Sequence, residues 1–191
     1  SHRQLDIFNR CADKLQASSK HKVLRHMLNT AGITRFTEYQ MDMVRLGLGM
    51  YGVSPISDKT GVRTVSTLKT TILQIHQYAA GESIGYGRRS VLTRPSRIAV
   101  IPIGYADGLD RRLSNGVGEV SINGHRASII GNICMDICMI DVTDVPCAEG
   151  DRVEIFGENI LVEEIAQRLD TIPYEILTSI SSRVKRVYYR E

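Results

Sequence analysis

The chain has 191 residues, of which 42% are hydrophobic and 24% charged, with a formal net charge of +3. That balance is ordinary for a soluble globular protein and long enough to bury a core without disulfide staples. So small a charge, with scattered basic residues and no Trp, excludes a phosphate-tracking or base-stacking surface, and no nucleic-acid partner is expected. Residues 5–15 place Leu5, Phe8, Ala12 and Leu15 at helical spacing, which predicts an amphipathic surface helix. A basic loop is expected at 18–22. Residues 23–28 read as a short strand, stopped by the turn residues Asn29-Thr30-Ala31-Gly32. Residues 43–52 read as a second buried strand with glycines at its end, and the pair predicts a parallel α/β arrangement.

A polar linker is expected at 57–61, and from residue 64 to 157 strands and turns dominate. Leu68, Thr70 and Ile72 alternate with polar neighbours. A β-branched run covers 97–103. Asn123-Gly124, between Val120–Ile122 and Ala127–Ile129, is the strongest hairpin signal in the chain. Further strands are predicted at 137–142 and 153–156. Leu161, Ile165 and Leu169 share one helical face. A last helix follows, with Thr171 as its expected cap, Pro173 in its first turn and Ile176, Leu177 and Ile180 buried. Residues 1–62 therefore read as part of an α/β unit and residues 63–191 as a β domain of barrel or sandwich type. Two parallel strands, apolar on both faces, cannot bury themselves alone.

The four cysteines, Cys11, Cys134, Cys138 and Cys147, form no CxxC pair, so no metal site is expected, and for the three that sit among apolar residues a buried free thiol is the simple reading. No signal peptide is visible and no apolar run is long enough to cross a bilayer. A reducing, cytoplasmic setting without a membrane partner is the expectation.

Four segments carry candidate chemistry. In the first, Asn29-Thr30 and Arg45-Leu46-Gly47-Leu48 offer side-chain and backbone donors to an anion. An arginine in a buried strand needs a partner, and His26 is a possible neighbour. In the second, Tyr86 lies between Gly85 and Gly87, with an accessible hydroxyl. A phenol titrates near pH ~10 and acts as a base only if a cation lowers that value; Arg88 and Arg89 follow it. The third is Gly104-Tyr105-Ala106-Asp107-Gly108 with Arg111 and Arg112. The fourth is Gly131-Asn132-Ile133-Cys134-Met135-Asp136. Each also has a plain structural reading, as a glycine turn, an exposed loop tyrosine, a hairpin corner or a core Cys-Met pair.

Taken together, "HMLNTAG", "MVRLGLGMYG", "GESIGYG", "IPIGYADG", "IGNICMD" and "SRVKRVYY" resemble the alanine racemase family in order and separation, across residues 26–189. The resemblance implies a mainly β fold. A C-terminal antiparallel β-barrel-like domain, 63–191, would be preceded by the last strands and helices of a truncated (β/α)₈ barrel, 1–62. It implies a pyridoxal-phosphate enzyme interconverting L- and D-alanine for peptidoglycan precursors, as a homodimer with active sites shared between chains. Tyr86 then matches the base on one face of the substrate. Arg45 matches the arginine facing the pyridine nitrogen, with His26 behind it. Gly47, Leu48, Asn29 and Thr30 match the phosphate cradle. Ser182 stands at a phosphate neighbour that is tyrosine in some members. Met135 matches a backbone donor to the substrate carboxylate, and Tyr105 and Arg111 match the substrate entrance. Asn132 replaces an arginine of that entrance in some members.

The opposite base in the family is a Schiff-base lysine near the start of the barrel. None of Lys14, Lys20, Lys22, Lys59, Lys69 and Lys185 stands in its motif. The lysine is therefore expected upstream, and the chain alone is expected to bind phosphate weakly at most, to pair, and not to catalyse. The alternatives are a non-catalytic module for dimerisation or binding, or a racemase for serine or a broader set of amino acids.

Overall fold

The computed structural model describes residues 2–54 and 61–189; most of the linker expected at 57–61 lies outside them. The chain divides into two compact units, Ser1–Val62 and Arg63–Glu191.

In the first unit, helix α1 (His2–Ser18) forms where the apolar spacing predicts it. Ala12 is buried, but Leu15 at the end of the stripe is 60% exposed. The basic loop folds back on the helix through Gln16, whose side chain donates to the His21 carbonyl (3.1 Å) and accepts from Val23 N–H (2.8 Å). Helix α2 (Thr30–Arg35) starts at Asn29, whose Oδ1 accepts from Gly32 N–H at 3.0 Å. The two strands predicted at 23–28 and 43–52 do not form as strands. A single parallel bridge joins Asn29 and Arg45, with Arg45 N–H donating to Leu28 O (2.9 Å) and Asp42 N–H to Arg25 O (3.2 Å). The second segment then tightens into a 3₁₀ turn, Leu48–Tyr51. Parallel pairs persist inside wide sheets covered on both faces, and no further strand flanks this pair among the described residues of the unit.

Among its described residues the second unit has nine strands: β1 (Leu68–Thr71), β2 (Gln74–Tyr78), β3 (Ser83–Ile84), β4 (Ser90–Val91), β5 (Ser96–Ile101), β6 (Glu119–Ile122), β7 (His125–Ile130), β8 (Cys138–Asp141) and β9 (Arg152–Phe156). Seven form an antiparallel sheet in the order β1-β9-β6-β7-β8-β5-β2, and β3 pairs with β4 alone. β1 and β2 occupy opposite edges of the sheet yet are separated by only Ile72 and Leu73. Ile72 N–H donates to Asp151 O, just before β9, and Leu73 N–H to Val100 O of β5 on the other side of the sheet (3.0 and 2.9 Å). So short a link forces the sheet to curl until its edges meet, which gives the barrel-like form. Ile98, Ile101, Val120, Ile122, Ile129, Ile140, Val142 and Val153 fill the interior and are essentially inaccessible.

The Asn123-Gly124 turn forms as expected. Ile122 faces His125, and both turn residues take positive φ, 50° and 80°, as a two-residue turn requires. β2 is absent from the sequence-based expectation because Gln74-Ile-His-Gln-Tyr carries too little apolar alternation; pairing with β5 makes it a strand. Helices α3 (Val162–Arg168) and α4 (Pro173–Ser179) follow β9. Ile172, not Thr171, is the cap residue of α4, and the Thr171 hydroxyl instead donates to the Glu175 carboxylate.

α3 is tied to the β6–β7 hairpin by charge. Arg126 reaches Glu164 at 2.8 and 3.1 Å and Glu119 at 3.3 Å, and Arg168 also meets Glu119. The hydrogen bond from Arg126 holds the Glu164 carboxyl below its ordinary range. A carboxyl whose pKa falls on folding adds stability above its unfolded value and loses it as pH drops through the folded value. The urea midpoint of the chain is therefore expected to fall as pH is lowered from about 5 to about 3. Arg126→Gln should flatten that slope, by no more than about 1 kcal/mol since the groups are partly exposed.

Candidate active site

β5 ends at Ile101 opposite Cys138, the first residue of β8, and Ile130 near the end of β7 pairs with Met139. The end of β5 and the β7–β8 loop thus emerge side by side. Beyond β5 the chain turns at Gly104 into a 3₁₀ turn, Tyr105–Asp107. Tyr105 N–H donates to Cys134 O and Ala106 N–H to Met135 O, both at 3.0 Å. These bonds bring the two backbones so close that a Cβ on Gly104 would lie 2.3 Å from both carbonyl oxygens.

Asp107 is buried. Its Oδ2 accepts from Gly104 N–H (2.9 Å) and its Oδ1 from Arg183 Nε (2.7 Å). Arg183 Nη2 continues to Asp136 Oδ1 at 2.5 Å, and Ser181 N–H donates to Asp107 O at 3.0 Å. One guanidinium therefore joins the turn after β5, the β7–β8 loop and the segment after α4. Three predicted residues, Tyr105, Met135 and Ser182, sit one on each of these segments, all exposed. Arg111 lies on the next turn, and an open cleft of about 320 Å³ is lined by Tyr105, Asp110, Arg111, Arg112, Glu175 and Ser179.

Tyr86 sits at the tip between β3 and β4, 76% exposed, in a turn where Gly85, Gly87 and Arg88 have φ of 75°, 77° and 51°. Its carbonyl accepts from Asn132 Nδ2 at 2.9 Å. Asn132 belongs to the same β7–β8 loop that carries Met135 and Asp136, so this loop touches both parts of the site. Cys138, which opens β8, is buried, and burial pushes its thiol up to about 12, which makes it packing and not a nucleophile.

In the first unit, Asn29, Thr30, Gly47 and Leu48 come together. Thr30 Oγ1 accepts from Gly47 N–H at 2.9 Å and from Gly49 N–H at 3.4 Å. Arg45, expected in a buried strand, is exposed because that strand does not form, and its Nη2 donates to Met27 O at 3.0 Å. His26 does not pair with it: His26 Nδ1 is buried and has no hydrogen-bond partner among the described residues. The gathered hydroxyl, amide and backbone groups with an exposed guanidinium fit the chemistry of a phosphorylated pyridine. Among the described residues no three His, Cys, Asp or Glu side chains are grouped to hold a metal ion, and no helix is long and apolar enough to cross a membrane.

Residues 65–188 match the alanine racemase C-terminal domain and residues 1–55 the alanine racemase N-terminal domain. The chain belongs to the alanine racemase family. It is 44% identical to alanine racemase 2 of Caldanaerobacter subterraneus subsp. tengcongensis, over 95% of this chain and 49% of that protein. Among solved structures it is similar to the alanine racemase of Bartonella henselae with covalently bound pyridoxal phosphate (TM-score 0.83, 37% identity, 94% of this chain and 50% of the other). It is also similar to the alanine racemase of Bacillus anthracis with bound L-Ala-P (TM-score 0.88, 34% identity, 99% and 50%). The chain thus spans about half the length of the relatives it matches.

Sequence reasoning missed Asp107, Asp136 and Arg183 as the frame of the site. Each lies inside a quoted motif, but three charges distant in sequence show no pairing until the sheet brings them together. Gly104→Ala should force the β5 turn and the β7–β8 loop apart and destabilise the chain by at least about 2 kcal/mol in urea unfolding.

Proposed function

We propose that the chain is the C-terminal half of a pyridoxal-phosphate-dependent alanine racemase that interconverts L- and D-alanine for peptidoglycan precursors, with Tyr86 as one of its two bases. The observation that carries this reading is the Tyr86 tip, anchored to the same loop that presents Met135. The family membership supports it, as do relatives that hold covalently bound pyridoxal phosphate and L-Ala-P.

Pyridoxal phosphate, when bound, supplies the electron sink that acidifies the α-hydrogen of an amino acid. This chain's residues take the other parts. Gly47, Leu48, Asn29 and Thr30 would hold the phosphate. Arg45, effectively always protonated and held by the Met27 carbonyl rather than by His26, would meet the pyridine nitrogen without giving up its proton. Met135 N–H orients the substrate carboxylate, Tyr105 and Arg111 line the entrance, and the Tyr86 side-chain oxygen takes or returns the α-proton on one face. Inversion needs a second base on the opposite face. No lysine here matches the family's lysine, so the chain alone is inactive. In a homodimer Tyr86 of one copy serves the cofactor held by the other.

The chain supplied with pyridoxal phosphate is expected not to racemise L-alanine by polarimetry; turnover would overturn the missing-lysine argument. Fused to the first half of a family member, it should racemise. In that hybrid, Tyr86→Phe should slow exchange of the α-proton with D₂O for one enantiomer by roughly 10²–10⁴-fold and leave exchange of the other largely intact. Equal, modest losses for both would rule Tyr86 out as a base.

A further inference from the structure

The turn that presents Tyr86 is poorly supported by packing. Tyr86 is 76% exposed, and Arg88 holds a left-handed conformation, φ 51°. A reactive group on such a turn needs an anchor, since a displacement near 1 Å can cost about 10²-fold in rate.

A one-way chain of hydrogen bonds provides that anchor. Gly131 N–H donates to Ser90 Oγ (3.1 Å), and Ser90 Oγ donates to Asn115 Oδ1 (3.0 Å). Asn115 Nδ2 donates to Asn132 Oδ1 (3.1 Å), and Asn132 Nδ2 donates to the Tyr86 carbonyl (2.9 Å). The chain starts at a group that can only donate and ends at one that can only accept, so the orientation of both amides is fixed along its length. Asn115 is itself locked, with φ 58° and its N–H on Gly131 O at 3.0 Å. Gly85 lies against the same loop: a Cβ there would come within 3.4 Å of Asn132 N.

We propose that Asn132, oriented by Asn115 and Ser90, is a positioning residue that sets the direction in which Tyr86 is presented. The inference rests on the reading of Tyr86 as a base for its meaning, but its test does not. In the chain as it stands, ¹³C-carbonyl NMR of Tyr86 and trypsin cleavage after Arg88 and Arg89 report the turn without any turnover. Asn132→Asp removes the donor while keeping the shape. It should move the Tyr86 carbonyl signal and speed cleavage at Arg88 and Arg89 by roughly three- to tenfold, with cleavage elsewhere unchanged. Lowering the pH to protonate the new carboxyl restores a donor and should return the signal toward the original. Asn115→Asp touches neither Tyr86 nor its turn. It should shift the same signal, because it reverses the amide of Asn132, and it serves also if Asn132→Asp fails to fold. An unmoved Tyr86 carbonyl in Asn115→Asp, or cleavage within twofold of the original chain in both variants, overturns the proposal. A hybrid enzyme that fails to racemise would count against the proposed function and leave this result standing.

Discussion

The candidate site depends on one guanidinium. Arg183 donates to Asp107 through Nε and to Asp136 through Nη2, and so spans three segments at once. Asp107 is buried, and a buried carboxylate is costly unless it is paired and hydrogen-bonded. Here Gly104 N–H and Arg183 satisfy it, and its own backbone carbonyl holds Ser181. The charge that would disrupt the turn in isolation thus fixes where the turn, the β7–β8 loop and the segment after α4 meet.

The sheet makes that meeting possible. Because two residues link its opposite edges, it must curl, and its antiparallel register sets the end of β5 beside the start of β8. The β7–β8 loop then has two neighbours, the β5 turn through Met135 and Asp136, and the Tyr86 turn through Asn132. One rigid loop locates both the exposed tyrosine and the positions proposed for substrate contact, which favours precision over a site built on free loops.

Much of this was legible in the residues. The Asn123-Gly124 turn, the β-branched run of β5, the strands β6 to β9 and the helical face of α3 follow from local rules, and local rules and fold agree there. Where they part, a partner decides. Gln74–Tyr78 becomes a strand only because β5 pairs with it, and Thr171 yields the cap position while its hydroxyl bonds Glu175. The segments at 23–28 and 43–52 have strand-like composition but only each other, and one bridge is what two parallel segments sustain. Arg45 is exposed for the same reason. The six motifs led to the family and to Tyr86, Met135 and Tyr105, but the salt bridges and the amide chain behind them are tertiary facts with no periodicity or spacing to announce them.

The most direct test of the central claim is amide hydrogen exchange of the chain carrying Arg183→Gln. If one guanidinium holds the three segments, the amides of Gly104, Tyr105, Ala106 and Ser181 should all lose protection together, by about tenfold or more, while those of the β6–β7 hairpin keep theirs. Loss confined to Ser181, with Tyr105 and Ala106 still protected, would show that the turn and the loop hold each other without Arg183 and would contradict the account.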